Sequence, residues 1–235
     1  MLNRGISITW LGFAGVYIKT PGNKTILVDP WITNNPLCPS DFKDIDNCDY
    51  IFLTHAHRDH AADAEMLAKK TGAEVLAGWE LAQILMRKGV QNVFAINKGG
   101  TRHFGDISVT AVHADHSSAF IEGDQLLYGG EAMGYVIRFE NGFTIYHAGD
   151  TNVFGDMALI AELYEPELAL LPIGDVLTMS PKEAAKAVRL LKVKHVVPTH
   201  FGYDFLTGTP AELAARLEQH QDVIVYDIKP GDTVS

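Results

Sequence analysis

Six consecutive residues, His55-Ala56-His57-Arg58-Asp59-His60, bring together three imidazoles and a carboxylate. Imidazole and carboxylate without thiolate suit zinc, manganese or iron. The cluster follows the apolar run 49–53, which reads as a buried strand, and precedes a helix-like stretch at 61–70. In layered α/β folds, ligands collect at that junction, beyond the carboxyl end of a strand. An H-x-H pair in extended backbone turns both rings to one side. Asp59 and His60 then face a second position, so the spacing suits two neighbouring metal ions better than one. A purely structural role is hard to defend, because uncompensated polar groups at a strand end are costly.

Further candidates stand where other apolar runs end. His116 follows the run 107–112, Asp150 follows 144–147, and His200 follows 195–198. Four strand ends thus each deliver histidine or aspartate. His113 competes with His116, but it still belongs to the end of its strand, so His116 is taken as the ligand. His103 and His220 read as surface residues in a loop and at a helix end, and His195 as a structural residue opening a strand. His147 adjoins Asp150, and both a supporting and a neutral role stay open for it. Tyr203 is either a proton donor or oxyanion partner, or a packed loop aromatic.

The elements that must carry these residues follow a simple rhythm. Strands at 6–10, 15–19 and 25–28 are punctuated by turns, and an irregular loop at 29–47 has a length often associated with function. Helices and strands alternate through 61–95. Strands resume at 107–112, 134–140 and 144–147, with Asn141-Gly142 as a hairpin turn. The C-terminal part alternates again, with helices near 154–163, 181–191 and 210–219 and strands at 168–171, 195–198 and 223–226. Ser180-Pro181 with Glu183, and Thr209-Pro210 with Glu212, are good helix starts. With no linker or charge block, residues 1–235 read as a single α/β domain, two mixed sheets with helices outside.

The formal net charge of -10 over 235 residues argues against a non-specific nucleic-acid binder. The two cysteines, Cys38 and Cys48, lack metal-site spacing and read as reduced thiols. The start of the chain alternates like a strand rather than a signal peptide, and no apolar run of about 20 residues occurs. A cytoplasmic protein with a small-molecule substrate, and neither nucleic acid nor membrane as partner, is expected. A homo-oligomer stays open.

The ordered set of H-x-H-x-D-H, a lone histidine, Gly149-Asp150-Thr151 and a final histidine resembles the metallo-β-lactamase superfamily. The resemblance runs from Thr25-Ile26-Leu27-Val28-Asp29-Pro30 to His200-Phe201-Gly202. Tyr146-His147-Ala148-Gly149-Asp150-Thr151 and Leu171-Pro172-Ile173-Gly174-Asp175, followed by Met179, look like the short stand-alone hydrolases similar to ascorbate-6-phosphate lactonases. The resemblance implies a four-layer αββα sandwich of two mixed β-sheets. It implies two divalent metal ions, zinc first with manganese or iron as alternates. His55, His57 and His116 would hold one ion and Asp59, His60 and His200 the other, with Asp150 bridging. Asp29 matches an acid that in relatives hydrogen-bonds a ligand imidazole. Phe13 stands where many relatives carry histidine, which removes a polar group from the pocket border.

The implied reaction is hydrolysis by a hydroxide shared between the ions. Asp59 and Asp150 are the catalytic carboxylates, with Asp59 passing a proton to the leaving group. An ester, lactone, amide or phosphodiester of a small metabolite would be cleaved, and a sugar-phosphate lactone is the form nearest the resemblance. Two other readings remain: an iron-dependent oxidoreductase on the same fold, and a non-catalytic metal-binding module.

Overall fold

Short β-branched and aromatic runs between turn residues form β1 (Ser7–Trp10), β2 (Val16–Lys19) and β3 (Thr25–Val28) in the computed structural model. The structure describes residues 2, 4–219 and 222–235. A long irregular stretch with a 3-10 turn at Ser40–Phe42 leads to β4 (Tyr50–Phe52). Next come α1 (Arg58–Ala61), α2 (Ala64–Thr71), β5 (Glu74–Gly78), α3 (Trp79–Arg87) and β6 (Val93–Ile96). Strands β7 (Thr101–Phe104), β8 (Ile107–His113), β9 (Ala119–Glu122), β10 (Gln125–Tyr128), β11 (Met133–Arg138) and β12 (Thr144–His147) follow. The chain continues through α4 (Met157–Tyr164), β13 (Leu168–Pro172), α5 (Pro181–Leu191) and β14 (His195–Thr199). It closes with α6 (Pro210–Arg216), β15 (Ile224–Val225) and β16 (Thr233–Val234).

The first of two compact units comprises Met1–Asn97, Ser117–Ala132 and Lys229–Ser235. Its mixed sheet has the order β16-β1-β2-β3-β4-β5-β6. Strands β1 to β3 pair antiparallel and β3 to β6 parallel. Parallel neighbours need crossovers, supplied by the 29–49 stretch, by α1 and α2, and by α3. Leu27, Ile51 and Val75 of the strands share a core with Leu67, Leu81 and Leu85 of the helices. Each such side chain stabilises by about 1.5–3 kcal/mol on full burial.

The long loop after β3 is fixed by its own polar contacts. Lys43 Nζ donates to the carbonyls of Ile32 (2.8 Å), Thr33 (3.1 Å) and Asn35 (2.6 Å). Asp63 Oδ2 accepts from the backbone N–H groups of Ile32 (2.6 Å) and Thr33 (2.9 Å). The buried Asn35 amide donates to the Leu11 and Trp31 carbonyls at 3.1 and 3.0 Å.

The second unit comprises Lys98–His116 and Met133–Ile228, with sheet order β15-β14-β13-β12-β11-β8-β7. Strands β7, β8, β11 and β12 pair antiparallel, and β12 to β15 parallel. Asn141-Gly142 makes the β11–β12 turn, where Gly142 takes φ 85 and its N–H meets the Phe139 carbonyl at 2.9 Å. Both expected helix starts are capping boxes with proline in the first turn.

The structure departs from the sequence reading in places. The helix after the motif starts at Arg58 rather than at 61, then breaks before α2. Extended His57 ends the strand exit, and Asp59 in the first turn favours a helix start. Strands β7, β9, β10 and β16 carry no alternation strong enough to read. His103 therefore lies on β7 rather than in a loop, though it stays exposed as expected. His220 lies outside the described residues.

Among the described residues no helix is long and apolar enough to cross a membrane. Cys38 and Cys48 are both free and buried. Burial pushes the Cys38 thiol up to about 11 and the Cys48 thiol up to about 12. A neutral thiol is a poor nucleophile. At pH 8 the native protein is expected to leave both cysteines unreactive toward an aromatic disulfide reagent, and the denatured protein to release two equivalents. A fast native phase would contradict this burial.

Candidate metal centre

Asp29 ends β3 with a left-handed backbone, φ 49, and a side chain fully shielded from solvent. A buried carboxylate is tolerated only when its oxygens are hydrogen-bonded. Here Oδ1 accepts from Thr54 N–H at 2.8 Å, and Oδ2 accepts from Thr54 Oγ1 at 2.7 Å. His60 Nδ1 lies 2.9 Å from the same Oδ2. An ionised carboxylate can only accept, so His60 Nδ1 carries its hydrogen. In the neutral ring Nε2 is then the lone-pair nitrogen, and it faces Asp59 Oδ2 at 3.6 Å.

The same carboxylate sets the next ring indirectly. Thr54 gives its single hydroxyl hydrogen to Asp29, so toward His55 Nδ1, 3.0 Å away, its oxygen accepts. His55 is thereby the Nδ1–H tautomer with Nε2 available as a donor atom to a metal. That Nε2 lies 2.9 Å from His57 Nδ1. Rings His55 and His60 sit 4.0 Å apart between centroids. Within this unit, then, His55 pairs with His57, and Asp59 pairs with His60, each pair converging its ligand atoms.

The second unit holds the other three candidates. Asp150 follows β12, and its Oδ2 lies 3.2 Å from His200 Nε2 and 3.7 Å from His116 Nε2. Two imidazole nitrogens thus face one carboxylate oxygen. His147, buried at the end of β12, accepts the Gly149 N–H at 3.1 Å through Nδ1, which fixes the turn that presents Asp150. The segment before His116 is zipped to the segment after Asp150. Asp115 N–H donates to Thr151 Oγ1 at 3.0 Å, and Asn152 N–H donates to the Asp115 carbonyl at 3.0 Å. His200 is also left-handed, φ 54. A Cβ on Gly174 would lie 2.1 Å from the His200 carbonyl oxygen, so only glycine allows that close approach.

His113 lies apart from this set: its ring meets Phe154 edge-on at 4.7 Å, and Nδ1 lies 3.4 Å from Lys98 Nζ. His195 bonds the Tyr226 hydroxyl at 3.0 Å, a structural contact. Tyr203 is 43% exposed in the loop after His200. Phe13 packs edge-on against Trp31 at 4.9 Å. The sequence assigns no role to Thr54 or Asp115, and shows Thr151 only as a member of the Gly149-Asp150-Thr151 motif, because hydroxyl and backbone contacts leave no spacing signature. The donor set of neutral imidazole nitrogens and carboxylate oxygens, with tautomers set by buried acceptors, fits zinc, manganese or iron.

Asp29→Asn would place an amide N–H₂ where Thr54 and His60 donate. Metal affinity is expected to fall about 10–100-fold, measured by competition with a chromophoric chelator. Unchanged affinity would show that Asp29 does not orient these rings.

A family model described as a beta-lactamase superfamily domain matches residues 24–201. A UPF0173 metal-dependent hydrolase from Koribacter versatilis is 48% identical over 233 residues, covering 99% of each chain. A second, from Rubrobacter xylanophilus, is 48% identical over 231 residues, covering 97% of this chain and 96% of its own. Igni18, a metallo hydrolase from the hyperthermophilic archaeon Ignicoccus hospitalis, matches with TM-score 0.84 at 33% identity, covering 97% of both chains. The two mixed sheets and their helices are the metallo-β-lactamase fold that the motifs led one to expect. With relatives so similar over almost its full length, the chain belongs to the UPF0173 metal-dependent hydrolases of the beta-lactamase superfamily.

Proposed function

We propose that this hydrolase works with two divalent metal ions, zinc or alternatively manganese or iron, on an ester, lactone or phosphodiester of a small metabolite. The observation that carries the reading is the approach of two imidazole Nε2 atoms, from His116 and His200, to the single Oδ2 of Asp150. A carboxylate oxygen so flanked is suited to bridging two cations. His55, His57 and His116 would serve one ion, and Asp59, His60 and His200 the other, with Asp150 shared. When bound, such ions would bring the pKa of a shared water from near 15.7 toward about 7 and polarise the scissile oxygen.

The protein's own groups then have distinct tasks. Asp29 and Thr54 hold the His55 and His60 rings in one tautomer, which removes the need to reorganise them during turnover. Asp59 keeps a 30% exposed side chain, while Asp150 is almost fully buried. Asp59 is therefore the carboxylate with access to solvent. It takes the proton of the attacking water on a carboxylate oxygen and returns it to the leaving group. Asp150, buried against His116 and His200, has a positioning role. The two free cysteines fit a cytoplasmic location.

Elemental analysis of protein purified without added metal is expected to find about two equivalents of divalent ion. Chelation should abolish hydrolysis on a panel of chromogenic esters, lactones and phosphodiesters, and re-addition should restore it. Asp59→Asn should keep the fold, cut turnover about 10²–10⁴-fold and weaken the one ion it would hold, whereas Asp150→Asn should weaken both. About one equivalent of iron with no hydrolysis, or full occupancy and turnover in Asp150→Asn, would overturn the assignment.

A further inference from the structure

A cavity of about 330 Å³ lies within the first unit, against the face of α1 and α2 that carries no metal-ligand candidate. That volume is in the range of small-molecule sites, about 300–1,000 Å³. Leu85 of α3, Phe120 and Ile121 of β9, and Ala61 and Ala62 give it apolar walls; Arg58 and Glu65 are its charged members. The hairpin β9–β10 covers it, and a two-stranded hairpin has little stability of its own. This one is clamped at its base. Ser118 Oγ accepts the Ala56 N–H at 3.2 Å and donates to the Gly129 carbonyl at 3.3 Å. A Cβ on Gly129 would lie 2.3 Å from Ala56 Cβ, and one on Gly130 2.5 Å from Glu80 Oε2. Glycine at both positions lets the hairpin close onto the metal-binding motif and α3.

The charges around the cavity do not cancel. Glu65 receives Lys69 Nζ at 2.7 Å and has Lys88 Nζ at 4.0 Å. Lys88 also pairs with Glu122 at 2.5 Å and lies 5.4 Å over the Phe120 ring. Both acids are thus answered by lysines. The Arg58 guanidinium has no ion pair or hydrogen bond among the described residues. An uncompensated cation beside apolar walls, in a chain of net charge -10, is complementary to an amphipathic anion.

We propose that this cavity binds a small organic carboxylate with an apolar body, its carboxylate on Arg58 and its hydrocarbon against Leu85, Phe120 and Ile121. The site is separate from the metal ligands, although Arg58 stands between His57 and Asp59 in the chain. Its ligand is an aliphatic or aryl monocarboxylate of medium length. A fork of guanidinium N–H donors matches a carboxylate and gives no comparable contact to a neutral alcohol.

Calorimetric titration of the metal-loaded full chain with octanoate at low salt tests this, beside octanol and acetate as partial probes. Octanoate is expected to bind about tenfold or more tightly than either. Arg58→Gln should weaken octanoate about tenfold or more and leave octanol unchanged. Ala62 is exposed at the cavity wall, so Ala62→Phe fills the space without disturbing the core and should abolish octanoate binding with Arg58 intact. Metal content equal to that of the parent protein shows that each variant keeps its motif. Octanol binding as tightly as octanoate, an unaffected Arg58→Gln, or no octanoate binding to the parent protein would each overturn the proposal.

Discussion

A single carboxylate, Asp29, organises the first unit's share of the chemistry. Moving an ion of this size from water into a protein interior costs several kcal/mol even after relaxation. Three donors offset that cost: Thr54 N–H, the Thr54 hydroxyl and His60 Nδ1. The compensation adds a side-chain tie between the ends of the paired strands β3 and β4 and carries it on to α1. It also removes a choice from the imidazoles. With their Nδ1 hydrogens committed, His55 and His60 can present only Nε2. The acid therefore acts both as a structural tie and as a selector of ligand atom.

The second unit ties its candidate residues in place through backbone groups. His147 takes the Gly149 N–H, Thr151 takes the Asp115 N–H, and Gly174 admits the His200 carbonyl. His200 and Asp29 share one more property, a left-handed backbone on a residue with a Cβ. Such a conformation costs about 1–2 kcal/mol for an L residue. It persists only where the surroundings over-determine it, and such strain gathers at working sites. Both residues stand where a strand has just ended and a side chain must leave the strand's alternation. A regular continuation of β3 or β14 would aim these side chains along the pleat instead.

What the sequence revealed and what it hid divide along physical lines. Candidate metal ligands stand out because few residue types can do the work and because they cluster where strands stop, as His55, His57, Asp59, His60, His116, Asp150 and His200 do. Strands with strong β-branched character, such as Thr25–Val28 and Thr144–His147, and helices with capping boxes, such as Pro181–Leu191, are legible because the signal is local. Strand β16 is not, since two residues become a strand only through pairing of Thr233 and Val234 with Thr9 and Ile8. Hairpin β9–β10 is hidden for a similar reason: Glu122, Gly123, Asp124 and Gln125 suggest a polar loop, and only its clamps hold it as sheet. Thr54 is hidden because one hydroxyl has no periodicity. Asp29 came into view through family resemblance alone.

The fixed loop after β3 bears on how the motif meets its metal. Lys43 and Asp63 satisfy its backbone groups from both sides, and Asn35 ties it to Leu11. The stretch that begins at Asp29 is thus ordered by contacts that involve no ligand. Ordering a loop or a rotamer at the moment of binding subtracts from affinity, by about 0.5–1.5 kcal/mol for each long side chain immobilised. Here that cost falls on folding, where the core of Leu27, Ile51 and Leu67 helps to offset it. Rings already held in one tautomer bind a cation without rearrangement, and the affinity of the site then reflects its ligand atoms rather than the flexibility of its support.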